Sequence, residues 1–253
     1  MLMSNKLSAE RKKELSLEVD ETVRNFKREF PHIKSPIPDS YATIEELGFF
    51  IIGKHIDEAI SGFHINIGEF KCIFVNRAHH YARQNQSLWH EVYHWYTGDI
   101  GHLSSRAENE YNEMEFKADN FASKILIDRN ELKKKITDDN INVKFISKVN
   151  IIKLQNYFSA SYMNVARALL EIYPNIFNSN RLNLGRQSQH DRLIEECKKN
   201  NLDYSIYDIP TTDYISPSFI DDLNENYKNG YLLDSYLESV LDLIDEELNL
   251  NEG

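Results

Sequence analysis

Only two cysteines occur in 253 residues, Cys72 and Cys197, and they lie far apart in the chain. That excludes a disulfide framework and a Cys-x-x-Cys zinc site, and it fits two free thiols in a reducing compartment. Long apolar runs are missing as well. The longest compact one, Phe49-Phe50-Ile51-Ile52, is far short of the roughly 20 residues a bilayer demands. The first residues, Met1 to Ser16, lack the apolar segment of a signal peptide. Positive charge is scarce: 29 Lys and Arg stand against 40 Asp and Glu, a formal net charge of -11. Direct nucleic-acid binding, which needs a basic face, is therefore disfavoured, while a basic protein partner is compatible. Neither internal repeats nor low-complexity segments are present. These absences predict a cytoplasmic protein with no membrane segment.

What is present centres on Trp89-His90-Glu91-Val92-Tyr93-His94-Trp95, an H-E-x-x-H pattern. On a helix, residues four apart share a face, so His90 and His94 can offer two imidazole nitrogens to one metal ion. Glu91 follows the first ligand and can take a proton from a water activated by that metal. The competing reading is a surface helix with two solvated histidines.

A second stretch, Glu113-Met114-Glu115-Phe116-Lys117-Ala118-Asp119-Asn120-Phe121-Ala122, weighs against that competitor. Ala118, Phe121, Ala122, Ile125 and Leu126 recur at helical spacing and predict a core-facing stripe. Glu115 and Asp119 border it. A catalytic zinc wants three protein ligands and one open position, and Glu115 can be the third. Asp119 can hold the far ring nitrogen of a ligating histidine. Here the alternative is an amphipathic helix with a solvated acidic edge. A third histidine ligand of the H-E-x-x-H-x-x-G-x-x-H kind is disfavoured, because the required positions hold Thr97 and Ile100. Tyr93 and Tyr111 could donate to an oxyanion but read more simply as packed aromatics.

With these residues the chain resembles the ImmA/IrrE metallopeptidases, gluzincin-like zinc endopeptidases with a glutamate third ligand. The resemblance runs through about residues 35 to 173 and includes Gly62-Phe63, the strand Ile73-Phe74-Val75-Asn76 and Arg83-Gln84-Asn85. Two positions depart from the family pattern, which usually has an aromatic near Gln86 and a glycine where Tyr93 stands. The resemblance implies a Zn2+ cofactor, a cytosolic protease often found on mobile elements or in stress circuits, and a helix-turn-helix transcriptional repressor as protein substrate, cut to relieve repression.

The remaining pattern predicts an α+β fold. A zinc-peptidase domain, mainly helical, spans 1–178, with a small antiparallel sheet before the H-E-x-x-H helix. An acidic, mostly helical C-terminal region spans 179–253. Within 1–34 lies an N-terminal helix capped by Ser8, whose stripe of Leu15, Val19, Val23, Phe26 and Phe30 predicts packing on the domain. Asp39 or Ser40 caps a short helix ending near Gly48. Strands are predicted over 49–53, 63–67 and 71–76, the last either the candidate for binding substrate backbone by strand addition or, equally, an ordinary core strand. His79-His80 and residues 131–148 read as solvated. Residues 149–173 form a helix-turn-helix-like pair with Arg167 as the only basic residue of its second helix, which favours structure or substrate docking over DNA. Further on, 204–207 reads as a strand, Ser216-Pro217 as a helix start, and Leu233, Leu237, Leu241 and Ile244 as the stripe of a last helix.

Two functions follow. The first is a zinc endopeptidase using His90, His94 and Glu115 for the metal, Glu91 as general base and Asp119 behind a ligand. The second is a non-catalytic zinc-containing module that sequesters a repressor or toxin partner. Glu91 separates them, since a purely structural site has no need of a base beside the metal.

Overall fold

The computed structural model describes residues 7–56, 59–67, 69–98 and 108–231. Helix α1 (Ala9–Glu29) starts where the Ser8 side chain accepts a hydrogen bond from the Arg11 amide at 3.1 Å. Its spacing of Leu15, Val19, Val23 and Phe26 places all four on one buried stripe. Phe26 meets Trp89 and Phe121 edge-on, at 6.2 and 5.3 Å between ring centroids. α1 is thereby packed against the two helices that carry the predicted metal ligands, α3 (Tyr81–Thr97) and α4 (Glu108–Leu126). The bidentate pair Arg11–Glu113, with both nitrogen–oxygen distances at 2.7 Å, adds a polar tie to α4.

Asp39 caps the short helix α2 (Ser40–Glu45), accepting from the amides of Tyr41 and Ala42. Three strands follow, β1 (Phe50–Lys54), β2 (Gly62–Ile67) and β3 (Phe70–Asn76), and a fourth, β4 (Tyr214–Ile215), joins from far along the chain. The order is β2-β3-β1-β4. This sheet is mixed, where a wholly antiparallel one was expected. β1 pairs with β3 in parallel because β2 reverses the chain on the far side of β3, and β3 then slots back beside β1 in the original direction. The arrangement has a consequence for substrate. β3, the expected docking strand, has both edges occupied, so strand addition there is impossible. Among the described residues β2 offers the free edge on that side of the sheet.

The segment 131–148 is not solvated. α5 (Arg129–Asp138) is amphipathic: Leu132 and Ile136 are buried, and Val143 and Ile146 follow them into the core, while the lysines and aspartates take the outer face. The predicted pair appears as α6 (Lys148–Phe158) and α7 (Tyr162–Ile172), separated by Ser159 in the left-handed conformation and the Ser161 cap. The core continues past residue 178. Leu184, Leu193, Cys197 and Tyr207 belong to the same buried cluster as Trp89 and Phe121. Helix α8 (His190–Lys199) supplies two of them. Tyr207 donates to Gln155 at 2.8 Å and accepts from the Tyr162 amide at 3.0 Å. It sits in a 3-10 turn, Ser205–Tyr207, rather than the expected strand; the Asp203 carboxylate accepts from the Ser205 amide and closes the turn.

Helix α9 (Pro217–Lys228) begins at Ser216-Pro217 as expected, yet the Ser216 hydroxyl makes no cap. It accepts from the Ile51 amide and donates to Glu45, both at 2.6 Å, stitching β1 to α2. The last expected helix, with Leu233 to Ile244, lies outside the described residues. No described helix is long and apolar enough to cross a membrane.

Candidate metal centre

Helix α3 is aimed by its apolar side. Leu88, Trp89 and Val92 are fully buried, and Trp89 donates from Nε1 to Ser40 Oγ at 3.1 Å. With those residues inward, His90 and His94 are carried on an adjacent face that looks at α4. The helix opens at His80, whose Nδ1 accepts from the Arg83 amide at 3.3 Å, and closes at Gly98 with φ of 71°. His80 is thus a cap, and His79 is buried; the loop expected to be solvated is folded against the helix start. On α4, Ala118, Phe121, Ala122, Ile125 and Leu126 are all buried as the stripe predicted. That sets Glu115 and Asp119 along the border facing α3.

The three predicted ligands converge. His90 Nε2 lies 3.1 Å from His94 Nε2 and 3.2 Å from one Glu115 oxygen, and His94 Nε2 lies 3.6 Å from the other. Donors on a tetrahedral ion with bonds of about 2.0–2.2 Å stand roughly 3.3–3.6 Å apart. The donor set therefore lies close to the spacing a divalent ion needs, and its two-nitrogen, one-carboxylate chemistry suits zinc and several other first-row metals. Asp119 Oδ1 is 3.0 Å from His90 Nδ1, so the carboxylate fixes that ring with Nε2 turned to the other donors. Burial disfavours a charged His90, but the hydrogen bonds to Asp119 and Glu115 outweigh it and push its pKa up to about 10. Burial and the charge of His90 push the His94 ring the other way, below its ordinary value. The cluster is built to hold positive charge at its centre.

A further residue enters from the sheet. His64, on β2, places Nδ1 3.0 Å from Glu91 Oε2, with both side chains largely buried. Its ring lies nearly parallel to that of His94, 6.0 Å between centroids. The strand comes this close because Gly62 has no side chain: a Cβ there would sit 2.7 Å from the Phe74 carbonyl oxygen and 3.9 Å from Glu91 Cγ. Sequence reasoning singled out Gly62-Phe63 and passed over His64. The available signal was alternation: in Phe63-His64-Ile65-Asn66 a histidine occupies an every-other-residue position on a strand just before the metal helix.

Residues 45–170 match the family model of the IrrE N-terminal-like domain, a peptidase domain. The chain belongs to the ImmA/IrrE metallopeptidase family. No curated protein matches it. The matched span runs from the end of α2 through most of α7 and contains His64, His90, Glu91, His94, Glu115 and Asp119. The buttressing helix α1 and strand β4 lie outside it.

Both departures from the ImmA/IrrE pattern have structural roles. Tyr93 is buried, packed on Phe121 at 5.4 Å and beside His94 at 5.7 Å, so it fills the space behind a ligand. Gln86 bridges: its Nε2 donates to the Asp119 carbonyl at 3.0 Å, and its Oε1 accepts from Asn164 at 2.8 Å. The Tyr111 side chain lies outside the described residues.

Proposed function

We propose that this ImmA/IrrE metallopeptidase is a zinc-dependent endopeptidase whose substrate is a helix-turn-helix transcriptional repressor. The observation that carries the catalytic reading is the junction of two elements at Glu91. The three converging donors lie on one side of it, and the free-edged strand β2, with His64, lies on the other. His90, His94 and Glu115 would hold a zinc ion, which would supply Lewis acidity to the water and to the scissile carbonyl. The chain's own residues do the rest. An extended substrate segment hydrogen-bonds along the free edge of β2, which runs beside the donor cluster. Glu91 accepts the proton of the attacking water and passes it to the departing amine nitrogen. His64 donates to Glu91 and keeps its carboxylate turned into the cleft, and Asp119 keeps His90 in the tautomer that presents Nε2.

The repressor as substrate rests on the family resemblance. The test is incubation of the metal-replete protein with a purified cognate helix-turn-helix repressor. Cleavage by the parent and none by Glu91→Gln supports the proposal. A stable complex with no cleavage by either would replace it with the sequestering module.

A further inference from the structure

A cavity of about 810 Å³ lies one turn up α3 from the metal donors. Its charge is opposite to that of the chain. Arg83, Arg167 and Arg186 line it, and among the described residues no carboxylate does, in a protein of net charge -11. Among the described residues the guanidinium groups of Arg167 and Arg186 make no ion pair or hydrogen bond. Arg83 spends one nitrogen on Ser61 Oγ, at 3.0 Å. A cluster of like charges costs free energy when nothing opposes it, so an anion is the natural complement.

The backbone agrees with the side chains. The first turns of α3, α7 and α8 all contribute to the wall, and each brings the partial positive charge of its amide end. The α8 terminus has no side-chain cap. Gly185 forms part of the floor. A Cβ there would sit 3.0 Å from the Met163 amide nitrogen, so this stretch of backbone is pressed onto the start of α7. Burial first, and then the charges of His190, Arg83 and His79, push His80 down to about 4.

The cavity is not purely polar. His80 and His190 stack at 5.4 Å, with Tyr207 edge-on to both at 5.1 and 4.9 Å, and Leu193 and Ile209 add apolar wall. The volume falls within the range of small-molecule sites, roughly 300–1,000 Å³. A single carboxylate would leave most of it empty. We propose that this cavity binds a phosphorylated metabolite of nucleotide size, its phosphates on Arg167, Arg186 and the helix amino ends and its organic part against the ring cluster. Gln86 lines the same cavity and hydrogen-bonds the Asp119 backbone, so the ligand sits one residue away from the metal centre.

The test is calorimetric titration of the full-length, chelator-stripped protein with ATP, pyrophosphate and inorganic phosphate, and in a parallel arm with a short DNA duplex. It uses no turnover, so its outcome is independent of the protease reading. ATP and pyrophosphate should bind saturably and more tightly than inorganic phosphate. Arg167→Ala and Arg186→Ala should each weaken ATP binding about tenfold, the loss of one charge-assisted contact. Both side chains are exposed, so both variants should melt with the parent. His94→Ala should bind ATP as the parent does. Absence of saturable binding, indifference to both arginine variants, or loss of binding in His94→Ala would overturn the proposal. So would a duplex that outcompetes ATP with a steep salt dependence, which would reassign the site to nucleic-acid phosphate.

Discussion

Helix α3 and strand β2 meet at Glu91, and they hold their functional side chains by opposite means. α3 is fixed on its inner side by Leu88, Trp89 and Val92, all at 0% exposure. β2 is held by its pairing with β3, by the close approach at Gly62 and by His64 against Glu91, while its Phe63 and Ile65 are each 41% exposed. The metal donors thus sit on elements whose rotation would disrupt the whole core. His64, which touches Glu91, sits on an element that can shift at modest cost. This division suits a protease: metal geometry tolerates little movement, whereas an edge that must receive a substrate backbone needs room to adjust.

The comparison is broken most severely at Glu91 itself. Glu91→Gln keeps shape and hydrogen bonding to His64 but cannot take a proton, and turnover of the proposed repressor substrate should fall about 10³-fold. Metal content measured in parallel should be unchanged.

Next comes the rigid side. Trp89→Ala removes the largest fully buried side chain and its bond to Ser40. It should cost about 3–5 kcal/mol in urea unfolding. A loss below about 1 kcal/mol would mean that α3 is not anchored as described.

The adjustable side should respond differently. His64→Ala should lower kcat about tenfold or more while leaving metal content and KM near the parent values, with His64→Asn recovering part of the loss by restoring a donor. An effect on metal content as large as that on kcat would place His64 among the ligand supports and erase the contrast.

The smallest effect is electrostatic and lies at the far end of α4. Asp128 caps α5 through the amides of Asn130 and Glu131, and pairs with Lys27 of α1. Burial alone would raise its pKa, but the hydrogen bonds from Lys27 and those amides prevail and hold it below its ordinary value. A depressed folded pKa stabilises above the unfolded value of about 3.9, and that stabilisation is lost as pH falls through the folded one. Asp128→Asn keeps the cap and loses the charge. It should cost about 1 kcal/mol or less at pH 7, with the gap to the parent closing below about pH 4.

The same contrast explains which features could be read from the sequence. His90, His94, Glu115 and Asp119 lie on two helices, where spacing alone decides which residues share a face and an apolar stripe decides which face is inward. The α1 stripe and the caps at Ser8 and Asp39 were legible for the same local reason. The sheet was not. Whether β1 pairs with β2 or β3 depends on where the returning chain is laid, and β4 comes from residues 214–215, beyond any local window. His64 went unseen because its role depends on β2 lying against α3, a tertiary fact. His79-His80 and 131–148 were misjudged because polarity was weighed above periodicity. A cap uses a polar residue, and an amphipathic helix hides its apolar face among lysines. The cavity of arginines combines positions 83, 167 and 186, which only the fold brings together.

The central claim is that His90, His94 and Glu115 form one metal site. It is tested most directly by the zinc stoichiometry of the purified protein beside His94→Ala and Glu91→Gln. The account predicts about one equivalent in the parent and in Glu91→Gln, and little in His94→Ala. A parent that takes up no metal when zinc is supplied, or a His94→Ala variant that keeps its full equivalent, would contradict it.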